Sequence, residues 1–164
     1  MEIKNRVLVS ACLLGRPTRY DGKVLTTVDP MLQRWQDQGC IVSFCPELAG
    51  GLTVPRLPAE IVGGQGADVM NGSATVRTAD GEDVSACFIR GAAAALQAAQ
   101  KKTISIAILK DGSPSCGKTR IYDGRFSGTT TPGSGVTAAL LLAENIAVFT
   151  ENEIDLARQV LGVS

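Results

Sequence analysis

The sequence predicts an α/β protein whose open, mostly parallel sheet is flanked by helices. Short apolar runs rich in Val and Ile alternate with helical patterns, which is typical of parallel sheets with helices on both faces. The 164 residues match the length of one domain, and 45% of them are hydrophobic, which is enough for a core. We find no internal repeat, linker or charge block, and therefore assign residues 1–164 to a single Rossmann-like domain.

The first half of the chain begins with a strand, a helix and a second strand. Residues 6–10 form a short apolar run with β-branched residues and predict a buried strand. Asp29 followed by Pro30 is a helix start, with Asp as the N-cap, and Gly39 ends that helix. Residues 41–45 predict the second strand.

The second half has a long irregular stretch on either side of its clearest helix and strand. Residues 46–84 predict mostly loop, with a strand or half-hairpin at 74–78. An Ala-rich helix follows at about 84–102, capped by Asp83 or Ser85. A long Gly, Ser, Thr and Pro-rich segment follows the next strand. The remaining predicted elements are a strand at 103–109, a loop at 110–135, a helix at 134–144, a strand at 146–149 and a helix at 151–161.

Charge and composition exclude several function classes. Lys and Arg together number 16, as do Asp and Glu, so the formal net charge is zero and there is no strong nucleic-acid footprint. The absence of histidine excludes Ser-His-Asp triads, Cys-His pairs and His-ligated zinc. The N-terminal residues lack a secretory signal and no apolar run is long enough to span a membrane. We therefore expect a cytoplasmic protein with reduced thiols, whose cysteines are candidates for metal binding or catalysis.

Three of the five cysteines follow predicted strands. Cys12 comes just past the first strand, Cys45 ends the second, and Cys116 follows the third clear strand. The C-terminal ends of parallel strands meet at one edge, where open α/β folds bind their ligands, so we expect these thiols and the active site at that edge. Cys40 and Cys87 are interpreted as small buried hydrophobes of the framework.

Convergent thiols are compatible with more than one kind of site. A three-thiolate zinc site would need a fourth ligand. A [4Fe-4S] cluster on three cysteines leaves one iron open for a substrate or an exogenous ligand. Two functions therefore remain possible for such a site, an enzyme and a non-catalytic metal or iron–sulfur sensor.

Residues 112–119 also match the P-loop pattern GxxxxGK[ST] and follow a strand. That pattern needs a helix to begin at Lys118–Thr119, so that its N-terminus points at phosphate. The glycines and the Asp-Gly turn that follow disfavour such a helix, and a P-loop nucleotide-binding protein is the less favoured alternative.

Several uncommon strings occur together and in order between about residues 7 and 142. They are Ser-Ala-Cys-Leu-Leu-Gly at 10–15, Arg-Tyr-Asp-Gly at 19–22, Cys-Pro-Glu-Leu-Ala-Gly-Gly-Leu at 45–52, Pro-Arg at 55–56, Ser-Pro-Ser-Cys-Gly at 113–117 and Tyr-Asp-Gly-Arg-Phe at 122–126. In these motifs the chain resembles the TudS-type thiouracil desulfidases in their stand-alone short form.

The resemblance implies an oxygen-sensitive [4Fe-4S] cluster held by Cys12, Cys45 and Cys116, with one open iron. It implies hydrolytic removal of sulfur from thiouracil-type bases, with release of hydrogen sulfide. Glu47 and Ser113 would be the catalytic pair, Glu47 activating a water and Ser113 binding the ring or relaying a proton.

The substrate would be a small thiolated pyrimidine base or its nucleotide, such as thiouracil or 4-thio-UMP. We expect basic loop residues, and an anion site where the helix starts near residues 133–135, to hold a phosphate. The protein would act as a monomer or a homodimer. The candidate substrate-binding residues are Arg19, Tyr20, Asp21, Arg56, Lys118 and Tyr122.

Overall fold

The computed structural model describes residues 6–25 and 27–161. The strands are β1 Val7–Ser10, β2 Ile41–Phe44, β3 Ala59–Val62, β4 Thr75–Thr78, β5 Ile106–Leu109, β6 Arg120–Tyr122, β7 Thr130–Pro132 and β8 Ala147–Thr150. The helices are α1 Pro30–Asp37, α2 Pro46–Ala49, α3 Gly66–Asn71, α4 Ser85–Lys101, α5 Val136–Ala143 and α6 Ile154–Leu161. The prediction that no signal peptide begins the chain falls partly on residues 1–5, outside the described residues.

The central sheet has the order β2-β1-β5-β8, and all of its neighbouring strands are parallel. Successive side chains of a strand face opposite sides of a sheet. Leu8 and Ala107 accordingly pack with the small side chains of α4 and α5. Val9 and Ile108 pack on the other side with Trp35 of α1 and with α6. The predicted parallel sheet with helices on both faces is confirmed.

A second layer is built from the region predicted to be mostly loop. β3 and β4 form an antiparallel pair on either side of α3 in the chain, so the predicted strand at residues 74–78 is confirmed. Ile61 and Val76 of this pair pack against Phe88 of α4 and Val136 of α5. The sequence pattern missed β3, whose short apolar run is interrupted by Glu60, and α3, whose six residues are too few to show a helical period.

The segment predicted to be a loop at 110–135 contains the antiparallel pair β6 and β7. Each strand has three residues, and most of their side chains are exposed. Ile121 alone carries the apolar signal, because it is buried against the second layer. Strands this short and polar leave no alternation in the sequence.

The helix boundaries follow the predicted signals closely. The Asp29 side chain accepts a hydrogen bond from the backbone N–H of Met31, as expected of an N-cap. At the start of α4 the N-cap position falls on Val84, while the Asp83 carboxylate accepts from the N–H of Ser85. In the described part of the chain, every helix is too short or too polar to cross a bilayer.

Candidate active site

A cavity of about 920 Å³ opens at the C-terminal edge of the central sheet. Cys12, Cys45 and Cys116 all line it, and none of them forms a disulfide. Cys12 lies in a 3₁₀ turn directly after β1, Cys45 lies between β2 and α2, and Cys116 lies in the loop after β5. The prediction that strand order brings these thiols to one edge is therefore confirmed.

Two hydroxyl groups fix the position of Cys116. The Ser10 hydroxyl, at the end of β1, lies 3.4 Å from Sγ of Cys116 and donates to it. The Ser113 hydroxyl oxygen accepts from the backbone N–H groups of Ser115 and Cys116, each at 3.1 Å. Ser113 also lines the cavity, so the residue that orders the Cys116 turn is itself open to a ligand.

The start of α5 supports the same turn and offers no anion site. The N–H groups of Gly135, Val136 and Thr137 donate to carbonyl oxygens of residues 117, 114 and 115, at 2.7 to 2.9 Å. A side chain at residue 135 would place its Cβ 2.5 Å from the Ser115 carbonyl oxygen, so this approach requires glycine. The expected phosphate site at residues 133–135 is wrong, because the donors of this helix end are used by the cysteine loop.

Glu47 lies in the first turn of α2, directly beyond Cys45, and lines the cavity. Its Oε2 accepts from Nη2 of Arg56 at 2.7 Å, and the Glu47 and Arg56 side chains are 20% and 8% exposed. The Arg56 guanidinium also donates to the carbonyl oxygens of Thr18, at 2.9 Å, and Thr53, at 3.0 Å. Arg56 lines the cavity as predicted, but its donors are directed at the protein, with Glu47 as the charged partner.

The other predicted substrate-binding residues divide into two groups. Arg19, Tyr20 and Tyr122 line the cavity, and the two tyrosines are exposed. Asp21 and Lys118 do not belong to the lining. The Asp21 carboxylate accepts from the N–H of Lys23, which closes a turn.

Lys118 is held away from the cavity by an ion pair. Its Nζ lies 2.9 Å from a carboxylate oxygen of Glu153 and stands over the Phe149 ring, 5.6 Å from the centroid. Lys118 therefore links the cysteine loop to the start of α6 rather than facing a substrate.

The P-loop alternative is contradicted by the element that follows the motif, which is the strand β6 and not a helix. The buried carboxylate of Asp111 accepts from the N–H groups of Lys118, Thr119 and Arg120 and from the Thr119 hydroxyl. Burial alone would raise the pKa of Asp111, but these hydrogen bonds outweigh it and lower that pKa. The anion that these amides bind is therefore the protein's own.

The comparisons with known proteins agree with this geometry. A family model described as 2-thiouracil desulfurase matches residues 7–153. The chain belongs to the 2-thiouracil desulfurase family. It is similar to the uncharacterized protein YbbK of Bacillus subtilis (strain 168), at 47% identity over 149 residues, 91% of this chain and 97% of YbbK. It is also similar to a solved structure of the [4Fe-4S]-dependent thiouracil desulfidase TudS, with a TM-score of 0.88 and 45% identity over 97% of this chain and 99% of that one.

Two thiols of the cavity, those of Cys12 and Cys116, are desolvated in this desulfurase. Burial, together with a smaller contribution from the neighbouring Cys45, raises the pKa of Cys12 to about 11. Burial also raises the pKa of Cys116, against the hydrogen bond from Ser10. Thiolate ligands must lose their protons, so a bound cationic centre would supply the charge compensation that the buried thiols lack.

The spacing of the acidic and thiol side chains also bears on the kind of metal centre. In residues 6–25 and 27–161, no three Cys, Asp or Glu side chains are close enough to hold a single metal ion. A four-iron cluster distributes its thiolate ligands over different irons, so it accepts ligands that are farther apart. The three cysteines are compatible with such a cluster, which the name of the similar TudS structure gives as its cofactor.

Sequence reasoning missed several residues of the cavity. Cys87 lines the cavity, with a guanidinium nitrogen of Arg90 3.3 Å from Sγ, and is therefore more than a small framework hydrophobe. The buried carboxylate of Glu60 accepts from the N–H groups of Gly124 and Phe126 and holds that loop at the cavity. Cys40 does pack against the α1 and α6 core, as predicted.

Proposed function

We propose that this protein removes sulfur from thiouracil-type bases or their nucleotides by hydrolysis, with a [4Fe-4S] cluster, and releases hydrogen sulfide. One observation carries the proposal: three free thiols and the Glu47 carboxylate line one cavity in a member of the 2-thiouracil desulfurase family. We also propose that residues 1–164 form one catalytic domain that acts as a monomer or a homodimer. A reducing compartment such as the cytoplasm would keep its thiols available.

The residues that would hold the cluster are Cys12, Cys45 and Cys116. Soft thiolate donors suit iron–sulfur clusters, and the cavity around the thiols leaves space for both a cluster and a ligand. Three protein ligands leave one iron without a protein ligand. When bound, the cluster supplies a Lewis acid that attracts the thiocarbonyl sulfur and leaves the attached carbon electrophilic.

Glu47 is the proposed general base. The chain has no histidine, so a carboxylate beside the thiols is the group available to take a proton from the attacking water. The ion pair with Arg56 fixes the direction of one carboxylate oxygen and leaves the other for the water. The carbon gains oxygen from water and loses its sulfur, which leaves with two protons as hydrogen sulfide, and no electrons are transferred.

Ser113 is the proposed hydrogen-bond donor to the substrate. Its hydroxyl oxygen already accepts two backbone N–H groups, so its hydrogen is free to point into the cavity. A donor placed there binds a ring nitrogen or oxygen and stabilises charge that develops on the ring as water attacks.

The size of the cavity supports a substrate larger than a free base. A volume of about 920 Å³ lies near the upper end of the usual range for ligand pockets, roughly 300–1,000 Å³, and one pyrimidine ring fills a small part of it. Arg19 and Arg120 line the cavity, and within the described residues neither guanidinium forms an ion pair. We propose that these cations receive the phosphate of a thiolated nucleotide.

The decisive test of the function is anaerobic purification, with iron and sulfide counted, followed by sulfide release from 2- and 4-thiouracil. Cluster-loaded wild-type protein is expected to turn over, and Glu47→Gln is expected to keep its cluster and lose roughly 100-fold or more in kcat, the usual contribution of a general base. Cys12→Ala is expected to assemble no cluster. A loaded wild type that releases no sulfide from the free bases or from 4-thio-UMP would favour a sensor, and full activity in Glu47→Gln would remove Glu47 from the reaction.

The nucleotide proposal is tested by comparing kcat/KM for 4-thiouracil and 4-thio-UMP. We expect the nucleotide to be preferred, and Arg19→Gln to lower kcat/KM for the nucleotide by roughly 10-fold while leaving the free base unchanged, because only the nucleotide offers a phosphate to the cation. Arg16→Gln is the control, since Arg16 is exposed and outside the cavity lining. Equal kcat/KM values for both substrates would contradict the proposal.

A further inference from the structure

We propose that Ser10 is a positioning residue for the cluster, whose hydroxyl donates a hydrogen bond to the sulfur of Cys116 and raises the cluster's reduction potential. The inference rests on the proposed function, because it takes Cys116 as a ligand. Ser10 is the last residue of β1 and is 3% exposed, so its hydroxyl has little access to water and needs partners within the protein.

The direction of the hydrogen bond follows from the second partner of the hydroxyl. The backbone N–H of Lys110, just beyond β5, donates to Oγ of Ser10 at 3.1 Å. An N–H can only donate, so the oxygen is the acceptor there and the hydroxyl hydrogen remains for another group. Sγ of Cys116, at 3.4 Å, is the group that receives it.

This arrangement connects three parts of the fold at one sulfur. Ser10 ends β1, Lys110 follows β5, and Cys116 lies in the loop that α5 supports. Groups that hydrogen-bond a ligand fix its orientation, and their loss typically weakens metal affinity by about 10–100-fold. Hydrogen bonds to the sulfurs of a cluster also help set its reduction potential, since they stabilise the more negative, reduced state.

The test compares Ser10→Ala with Ser115→Ala in anaerobically reconstituted protein. Ser115 is a matched control because it is 1% exposed, and its hydroxyl pairs with that of Thr137 at 2.8 Å. Each change removes one buried hydroxyl near Cys116, but only the first removes the bond to sulfur. The measurements are the midpoint potential of the cluster and the rate of iron loss to a chelator.

We expect Ser10→Ala to lower the midpoint potential and to speed iron loss roughly 10-fold or more, while Ser115→Ala stays close to wild type in both. A second pair of variants separates the loss of the hydrogen bond from an effect on folding. Ser10→Thr keeps the hydroxyl and should keep the wild-type potential. Ser10→Val introduces a side chain of the same shape as threonine but without the hydroxyl, and should lower the potential.

The outcomes separate the inference from the function on which it rests. A wild-type protein that binds no cluster overturns the proposed function and the inference with it. A loaded Ser10→Ala protein with the wild-type potential and rate of iron loss overturns the inference alone. Equal shifts in Ser10→Ala and Ser115→Ala, or in Ser10→Thr and Ser10→Val, would assign the effect to packing and overturn it as well.

Discussion

Glu47 and Arg56 form an ion pair on the inner wall of the cavity, and their exposures differ in a way that assigns their roles. Arg56 is the more buried partner, and two loop carbonyl oxygens hold its guanidinium in place. Glu47 keeps one carboxylate oxygen outside the ion pair and borders the cavity. The arginine is therefore the more firmly held partner, and in the proposed mechanism the carboxylate is the group that meets a substrate or water.

Replacing Arg56 is expected to impair turnover more than binding. Arg56→Ala leaves the Glu47 carboxylate without its partner and free to rotate, so we expect kcat to fall roughly 10- to 100-fold, with KM and cluster content little changed. Arg56→Lys keeps the charge but not the planar fork, so it should recover only part of kcat. Sulfide-release kinetics on cluster-loaded protein measure both quantities. If Arg56→Ala instead raised KM for the nucleotide and left the free base unaffected, Arg56 would bind phosphate.

For single residues, the sequence predicted which thiols line the cavity better than it predicted the contacts between side chains. Cys12, Cys45 and Cys116 were predictable because strand order alone brings them together. The partner of Arg56 was not, because the contact depends on the path of an irregular loop that no periodicity encodes. The same argument from strand ends could have placed Ser10 at this edge of the sheet, since it lies two residues before Cys12.

The packing of α2 on α4 fixes the positions of Cys45 and Glu47. Gly91 of α4 faces the carbonyl of Pro46, and a Cβ at residue 91 would lie 2.0 Å from that oxygen. A Cβ at residue 50 would likewise lie 1.9 Å from the Cys87 carbonyl oxygen. Both helices therefore meet backbone to backbone, which only glycine allows at these two positions.

Because of this close contact, replacing Gly91 by alanine is expected to destabilise the protein, although helix propensity alone would predict a stabilisation. In an exposed helix interior, Gly→Ala stabilises by about 1 kcal/mol. We expect Gly91→Ala to destabilise by about 1–3 kcal/mol instead, because α2 must move away, and to lower activity by displacing Glu47. Thermal unfolding and sulfide release measure the two effects.

The exposed residue Ala93 on the same helix provides the control. Ala93→Gly should cost about 1 kcal/mol from propensity alone and leave activity unchanged. A higher melting temperature in Gly91→Ala would show that the helices have room to separate, and would contradict the close contact.

Element length and apolar content together explain which elements were predictable. α4, with 17 residues, carries a clear period and was predicted within one residue at each end. The four-residue strands of the central sheet were predicted because they are mostly apolar. In contrast, β3 contains Glu60, β6 and β7 are mostly polar and α3 begins at a glycine, so none of these presents a recognisable pattern. Of these elements, β3 and β6 contribute Ala59, Glu60, Arg120 and Tyr122 to the cavity lining. Loops offered no pattern either, and those of Asp21 and Lys118 leave both side chains outside the lining.

For the whole molecule, the proposed ligands come from three separate segments that only the folded sheet brings together. Cys12 follows β1, Cys45 follows β2 and Cys116 follows β5, so a bound cluster would link adjacent strands at their ends. The unfolded chain has no such preformed site, and the free energy of cluster binding therefore adds to the free energy of unfolding. The edge of the sheet that we propose to carry the chemistry is therefore also the edge that cluster binding is expected to stabilise.

We expect removal of the cluster to lower the melting temperature of the wild-type protein, measured anaerobically before and after chelation. A stabilisation of about 3 kcal/mol would correspond to a shift of roughly 6–12 °C in a domain of this size, because each kcal/mol moves the midpoint by about 2–4 °C.

Cys40→Ala is the matched control, because Cys40 packs against the α1 and α6 core, away from the cavity. This change should lower the melting temperatures of the cluster-loaded and the chelated protein by the same amount. Cys116→Ala should instead unfold at the same temperature with and without the chelator. Equal melting temperatures for loaded and chelated wild type would show that the sheet edge is fully formed without the cluster, and that cluster binding does not add to the stability of the fold.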